Sequence, residues 1–251
     1  MRTIKKVASH IFIDGFGGMT QGLFATLIIG TMIQQIGLLI GGSTGNVIYL
    51  LGKAAAALTS AGIGVGVAVK YGESPLATVS AAVAAMVGGY AGKITGGTFF
   101  VDGNAVLAGP GEPLGAFIAA FAGITCGHLV SGKTKVDIIV TPVITIGAGS
   151  VVGLLVGPPI SQMMTGLGSI INWATEQRPF IMGIVVSVVM GMVLTLPISS
   201  AALGIILNLS GLAAGAATIG CCCNMVGFAG ASYRENKFGG LVAQGLGTSM
   251  L

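Results

Sequence analysis

Long apolar runs separated by short polar turns make up most of this chain of 251 residues. The clearest run covers residues 137–160, with a proline near its start and Gly-Pro-Pro near its end. A helix that crosses a bilayer needs about 20 mostly apolar residues, because lipid offers no hydrogen bonds to an exposed backbone. The pattern predicts helical spans at residues 11–40, 46–69, 75–94, 114–131, 137–157, 180–199 and 201–228.

Two further stretches extend this pattern less clearly. Residues 158–176 are weaker and amphipathic, and they either lie at the membrane interface or cross it. The Gly-Pro-Pro at 157–159 is expected to end the preceding helix, because proline lacks the N–H that a helix interior requires. Residues 238–251 begin another apolar element, which we expect to continue either in a missing C-terminal part or on another chain. We treat residues 1–251 as a single transmembrane domain.

The segment 95–113 is too apolar for a solvated loop and too rich in glycine and proline for a helix. Irregular backbone is tolerated at membrane depth where protein or a water-filled cavity satisfies its polar groups. A re-entrant hairpin is therefore predicted, with an ordinary extramembrane loop as the alternative. Residues 197–201, Pro-Ile-Ser-Ser-Ala, interrupt another apolar run and predict a broken helix or a simple kink or turn. The predicted fold class is an all-α polytopic membrane protein with about 7–9 transmembrane helices, a re-entrant hairpin and broken helices.

Composition agrees with this class. Hydrophobic residues make up 53% of the chain and charged residues 7%, whereas soluble domains carry about 25% charged residues. Glycine accounts for 44 residues, which favours closely packed helices in lipid. No basic patch indicates nucleic-acid binding, and no signal indicates a cleaved leader peptide.

The basic residues indicate an orientation in a cytoplasmic membrane. Cytoplasmic loops of membrane proteins are enriched in lysine and arginine. With a cytoplasmic N-terminus, and with residues 158–176 crossing, the turns on that side hold nearly all of the basic residues and the opposite side holds Lys93. The residues predicted to face the cytoplasm are Arg2, Lys5, Lys6, Lys70, Lys133, Lys135, Arg178, Arg234 and Lys237.

Three motifs resemble a known family. The first motif resembles one span of enzyme IIC, the membrane subunit of phosphotransferase-system permeases. It consists of residues 141–145 (Thr-Pro-Val-Ile-Thr) and 157–159 (Gly-Pro-Pro), followed by an amphipathic piece that ends near 172–173 (Asn-Trp). Residues 12–23 and 227–236 resemble a narrower branch of enzyme-IIC-like proteins, the branch that includes perfringolysin O regulator-like proteins.

The resemblance implies a permease subunit that binds a sugar or polyol, opens alternately to each side and forms a homodimer. Separate IIA and IIB subunits would carry the phosphoryl group, so we assign no catalytic residue and no cofactor to this chain. The two alternatives are an enzyme-IIC-like regulator of gene expression without transport, and a transporter of another solute without phosphorylation. Of the two histidines, His128 is predicted to be a helix-end residue near Lys133.

Polar residues at membrane depth are costly to bury and therefore indicate function. Asp14 and Gln21 lie about two turns apart on much the same face of the first span, and a helix cap is the alternative for Asp14. Asp102, Asn104 and Glu112 lie in the predicted hairpin. Residues 109–113, Gly-Pro-Gly-Glu-Pro, resemble the tip of glucose-type permeases, whose glutamate accepts hydrogen bonds from sugar hydroxyls.

The remaining candidates lie in the C-terminal part of the chain. Ser199 and Ser200 could line a polar cavity at the predicted break. If the hairpin folds back toward the membrane interior, we expect Asp102, Asn104 and Glu112 to share that cavity. Asn224 could bind hydroxyls or bridge helices. Residues 221–223 are three consecutive cysteines, which point about 100° apart on a helix. We therefore interpret them as small packing residues and predict no metal site.

Overall fold

The structure is a computed structural model, and it describes residues 14–101, 103–107, 109–194, 204, 207, 209–242 and 245. Helices account for most of the described part, and the strands are two residues long each. The helices are α1 (Phe16–Leu23), a π-helical segment (Phe24–Ile28), α2 (Ile29–Ile40), α3 (Gly42–Ala57), α4 (Thr59–Lys70), α5 (Pro75–Gly89), α6 (Ala91–Thr95), α7 (Pro113–Val130), α8 (Asp137–Gln177), α9 (Pro179–Val193), α10 (Gly211–Ala231) and α11 (Tyr233–Val242).

The all-α polytopic membrane class is confirmed. In the described residues, four continuous helical stretches are long and apolar enough to cross a membrane, and the pair α3 and α4, bent by 53° at Leu58, makes a fifth. Helices α5 and α9 are apolar but shorter. The four continuous stretches are Phe16–Ile40, Pro113–Val130, Asp137–Gln177 and Gly211–Ala231.

Two local details differ from the sequence prediction. Helix α8 continues through Pro158 and Pro159 to Gln177, so Gly-Pro-Pro does not end it. Each proline removes one backbone hydrogen bond, and membrane helices tolerate this when neighbouring helices pack around the break. The loop after α6 contains a short antiparallel hairpin, in which β1 (Phe100–Val101) pairs with β2 (Asn104–Ala105).

The chain divides into two compact units, Met1–Gln162 and Met163–Leu251, and the boundary falls within α8. In the first unit, glycines let helix backbones touch. A Cβ atom on Gly18 of α1 would lie 2.6 Å from the carbonyl oxygen of Gly66 on α4. Such contacts favour helix association in lipid, where no hydrophobic force drives the helices together.

The first 21 residues of α8 pack against α5 and α7 along a single stripe. Thr141, Thr145, Gly149, Gly153 and Gly157 recur every four residues and are all buried, as expected for one face of a helix. A Cβ on Gly149 would lie 2.6 Å from Cβ of Ala84 and 2.7 Å from the carbonyl oxygen of Ala119. The family-like motif of this span is therefore a helix-packing surface.

In the second unit, α9 packs on α10 around a small apolar cluster of Val186, Met190 and Ala217. Helix α9 begins with proline at its first turn, where a missing N–H costs nothing. The cysteines 221–223 lie within continuous α10, and all are free thiols. Cys221 is partly buried and its Sγ lies 3.8 Å from the carbonyl oxygen of Met190.

Candidate functional site

The loop before α7 returns to the helix bundle at residues 109–112, which we call the tip segment. The backbone N–H of Glu112 donates to the carbonyl oxygen of Gly89, at the end of α5, over 2.7 Å. The hydroxyl of Ser60, near the start of α4, donates to the carbonyl oxygen of Pro110 over 2.9 Å. The tip segment is therefore bound to two helices of the first unit, close to the bend at Leu58.

Tyr90 provides a second attachment. This residue is 1% exposed and lies at the break between α5 and α6. Its hydroxyl approaches the carbonyl oxygen of Gly109 closely and that of Ala57, at the end of α3, at 3.2 Å. The amino group of Lys93 lies 5.3 Å from the centre of the tyrosine ring. Tyr90 thus lies at the break between α5 and α6, and its hydroxyl contacts both the tip segment and the end of α3 at the bend.

The carboxylate of Glu112 lies at the N-terminus of α7, immediately before Pro113. Its Oε1 atom is buried and has no hydrogen-bond partner within the part of the chain that the structure describes. Burial raises the pKa of this carboxyl, and the backbone N–H of Leu114 partly offsets the effect. A buried polar atom without a partner costs about 1–3 kcal/mol, so the site favours a ligand that donates a hydrogen bond.

The other residues predicted in the hairpin have a different environment. Asn104 is exposed in β2, where it pairs with Val101 of β1. Gly103, with φ of 77°, forms the turn. Asp102 lies outside the described residues. Asn104 and Glu112 therefore share a loop but differ in burial.

Asp14 lies near the C-terminal end of α4, whereas the tip segment contacts Ser60 near the start of that helix. Gln21 lies in α1. Asp14 is close to Tyr71, and burial, reinforced by the Asp14 carboxylate, raises the pKa of Tyr71 to about 12. Gln21 is exposed. The rings of Phe16 and Phe117 stack with centroids 4.9 Å apart and bring the start of α1 against α7.

Further polar contacts follow the C-terminal end of α4, where they join the turn 71–74 to the end of α7. Nδ1 of His128 lies 2.9 Å from Oε1 of Glu73, and the Glu73 side chain is only 6% exposed. The hydroxyls of Ser74 and Ser131 are 3.3 Å apart. His128 thus lies near a helix end, as predicted, and pairs with an acid that the sequence did not single out.

Asn224 lies in the second unit and lines a cavity of about 310 Å³ on the α9–α10 pair. Ser187 and Cys223 add polar atoms to the same cavity, and Gly191 and Gly220 leave the space. Ser199 and Ser200, predicted to share a site with Glu112, lie outside the described residues.

Sequence reasoning did not identify Ser60, Tyr90 or Ser187 as site residues. Tyr90 carries a local signal, because it is an isolated tyrosine after Gly88 and Gly89 and directly precedes the irregular loop. Ser60 carries none, because its partner Pro110 lies 50 residues away in the chain.

Comparison with known protein families gives a match. A sequence model of the family described as "Phosphotransferase system, EIIC" matches residues 13–251. No curated protein and no solved structure matches the chain.

Proposed function

The chain belongs to the EIIC family of the phosphotransferase system, and on this premise we propose that it binds a neutral sugar or polyol and translocates it by alternating access. The resemblance to enzyme IIC is thereby confirmed, and the narrower perfringolysin O regulator-like branch stays a prediction. As an EIIC protein with several apolar spanning helices, the chain is a multi-pass, permease-type membrane subunit of a phosphotransferase system.

The observation that supports the proposal is the buried Oε1 of Glu112, which lacks a partner among the described residues. An ionised carboxylate only accepts hydrogen bonds, and a sugar hydroxyl donates one. A solute hydroxyl bound at this atom would remove the cost of the unpaired oxygen. The flanking Gly111 and Gly115 keep the surroundings small.

In this proposal the other candidates contribute weaker contacts. Asp102 and Asn104 would add polar groups from the same hairpin, and Ser199 and Ser200 stay candidate solute contacts in the second unit. Asp14 and Gln21 in the first unit, and Asn224 in the second unit, stay further candidate solute contacts. We also propose that separate IIA and IIB subunits phosphorylate the solute, and that the protein is a homodimer, which a mass measurement in lipid nanodiscs tests.

The experiment is an uptake assay in proteoliposomes with a panel of radiolabelled hexoses and hexitols, with and without purified phosphotransfer proteins. Glu112→Gln keeps the side-chain shape and removes the charge. Loss of a charge-assisted hydrogen bond costs about 1.5–3 kcal/mol, so the apparent affinity should fall about ten- to hundredfold. Glu235→Gln, an exposed position on α11, should leave affinity unchanged.

Three results would count against the proposal. Equal affinity in the native and Glu112→Gln proteins would remove Glu112 from the site. Absence of uptake for every solute, together with changed gene expression in a deletion strain, would favour the regulator. Uptake that does not depend on the phosphotransfer proteins would favour a transporter that works without phosphorylation.

A further inference from the structure

We propose that Tyr90 and Ser60 are positioning residues that hold the tip segment, and through it the carboxylate of Glu112, against the bend between α3 and α4. This proposal rests on the proposed function of Glu112, but its structural part does not depend on any solute. Neither hydroxyl binds the carboxylate in the described contacts. Each one instead binds a backbone carbonyl of the tip segment, at Gly109 or Pro110.

The packing at this point leaves room for these two hydroxyls and little else. Ser60 is fully buried and Tyr90 is 1% exposed. Gly111 has φ of 76°, and a Cβ there would lie 3.1 Å from the carbonyl oxygen of Gly89. A side chain at 111 would therefore meet both backbone strain and the neighbouring main chain.

Tyr90 has one hydroxyl proton and two carbonyl acceptors, Gly109 and Ala57. At any moment the proton is donated mainly to one of them. If the tip segment moves away, Ala57 remains as an acceptor, so the buried hydroxyl does not lose its only partner. Ser60 has Pro110 as its acceptor in the tip segment. The tyrosine is thus suited to a contact that breaks and re-forms.

The two attachments connect the carboxylate to both helix breaks. Ala57 and Ser60 flank the bend at Leu58, and Tyr90 lies at the break after α5. A change in either break would move the backbone carbonyls two and three residues before Glu112. The position of the carboxylate is in this way coupled to the helices around it.

Hydrogen–deuterium exchange of the full-length protein in nanodiscs tests the structural part without a solute. The reporter is the amide of Glu112, which is bonded to Gly89 in the native protein. A buried hydrogen bond contributes about 1 kcal/mol, so Tyr90→Phe and Ser60→Ala should each speed exchange of residues 109–112 about fivefold. Tyr233→Phe, the same chemical change at a half-exposed residue of α11, is the matched control.

Exchange in α10 serves as a check of folding, because this helix belongs to the other unit. Faster exchange confined to residues 109–112 and their partners supports the proposal. Unchanged exchange in both variants, or the same acceleration in α10, overturns it.

A double-mutant cycle then tests the link to Glu112, with the radiolabelled hexose or hexitol that the native protein takes up fastest. Tyr90→Phe alone should raise KM about fivefold and change kcat little. In the Glu112→Gln background it should have almost no further effect, because it acts through that carboxylate. Independent, additive effects would overturn the positioning role. If the native protein takes up no probe, the proposed function fails and the exchange result still stands by itself.

Discussion

At the scale of single residues, the candidate groups differ in what surrounds their polar atoms. Glu112 has a buried oxygen without a partner in the described residues. The Glu73 side chain is also largely buried, but it is paired with His128. Asp14 lies beside Tyr71. Since a paired carboxylate is already satisfied, Glu112 is the acid on which a solute hydroxyl would gain most.

The Asp14–Tyr71 pair makes a pH-dependent prediction. Burial and then the Asp14 carboxylate raise the pKa of Tyr71 to about 12. A raised pKa means that the protonated phenol is favoured in the folded protein, so its contribution to stability is complete below about pH 10 and is lost as the pH rises toward 12. Asp14→Asn removes the negative charge and should lower this pKa.

An ultraviolet absorbance titration of tyrosinate in detergent measures the effect, and Tyr71→Phe identifies the late-titrating group. The exposed position Glu235→Gln provides the control for a general change in charge. A titration of Tyr71 that is the same with and without Asp14 would show that the carboxylate does not act on it.

At the scale of helices, much of the fold could be predicted from the sequence. The apolar runs identified the spans, because lipid imposes both their length and their helical backbone. The i, i+4 recurrence from Thr141 to Gly157 gives the buried face of α8. The end of α8 could not be predicted from the local sequence pattern. Packing around Pro158 and Pro159 decides whether the helix continues past them.

The site was less predictable than the helices, because it depends on contacts between residues that are far apart in the sequence. Its position depends on which helix ends meet in space. The Ser60–Pro110 hydrogen bond spans 50 residues and the Glu73–His128 pair spans 55. Glu112 could be singled out because its own local motif is unusual.

Alanine substitutions at two nearby glycines of α8 are predicted to change the stability of the protein in opposite directions. A Cβ on Gly149 would lie 2.6 Å from Cβ of Ala84, whereas one on Gly147 meets nothing within 4 Å. Gly149→Ala should therefore destabilise the protein by about 1–3 kcal/mol through overpacking. Gly147→Ala should stabilise it by about 0.5–1 kcal/mol, because alanine loses less backbone entropy in a helix.

Thermal melting of both variants in the same detergent, followed by size-exclusion chromatography, compares them directly. The melting temperature should fall for Gly149→Ala and rise slightly for Gly147→Ala. A similar change in both would mean that the stripe from Thr141 to Gly157 is not the packed face of α8.

At the scale of the whole molecule, the described contacts of the first unit bring together helix ends that carry basic residues. The start of α1, the turn 71–74 and the end of α7 lie together, through Asp14 beside Tyr71 and Glu73 bonded to His128. Lys70 and the pair Lys133 and Lys135 belong to these elements or the loops beside them, and the positive-inside rule predicts them on one side. Lys93 lies beside Tyr90, at the tip segment.

Orientation in the membrane is the last prediction. Helix α7 has 18 residues, about 27 Å at 1.5 Å per residue, which is close to the thickness of the hydrocarbon core. Positions before and after it should therefore face opposite sides of the membrane. Thr98 and Lys135 are both exposed and lie in the loops that precede and follow α7.

In a background without the four native cysteines, Thr98→Cys should react quickly with a membrane-impermeant maleimide added to intact cells. Lys135→Cys and Arg234→Cys should react only after the membrane is opened, because the basic loops are predicted to be cytoplasmic. The reverse pattern would invert the orientation. Equal labelling of Thr98→Cys and Lys135→Cys from outside would mean that α7 does not cross, since the two ends of a spanning helix cannot both be accessible from one side.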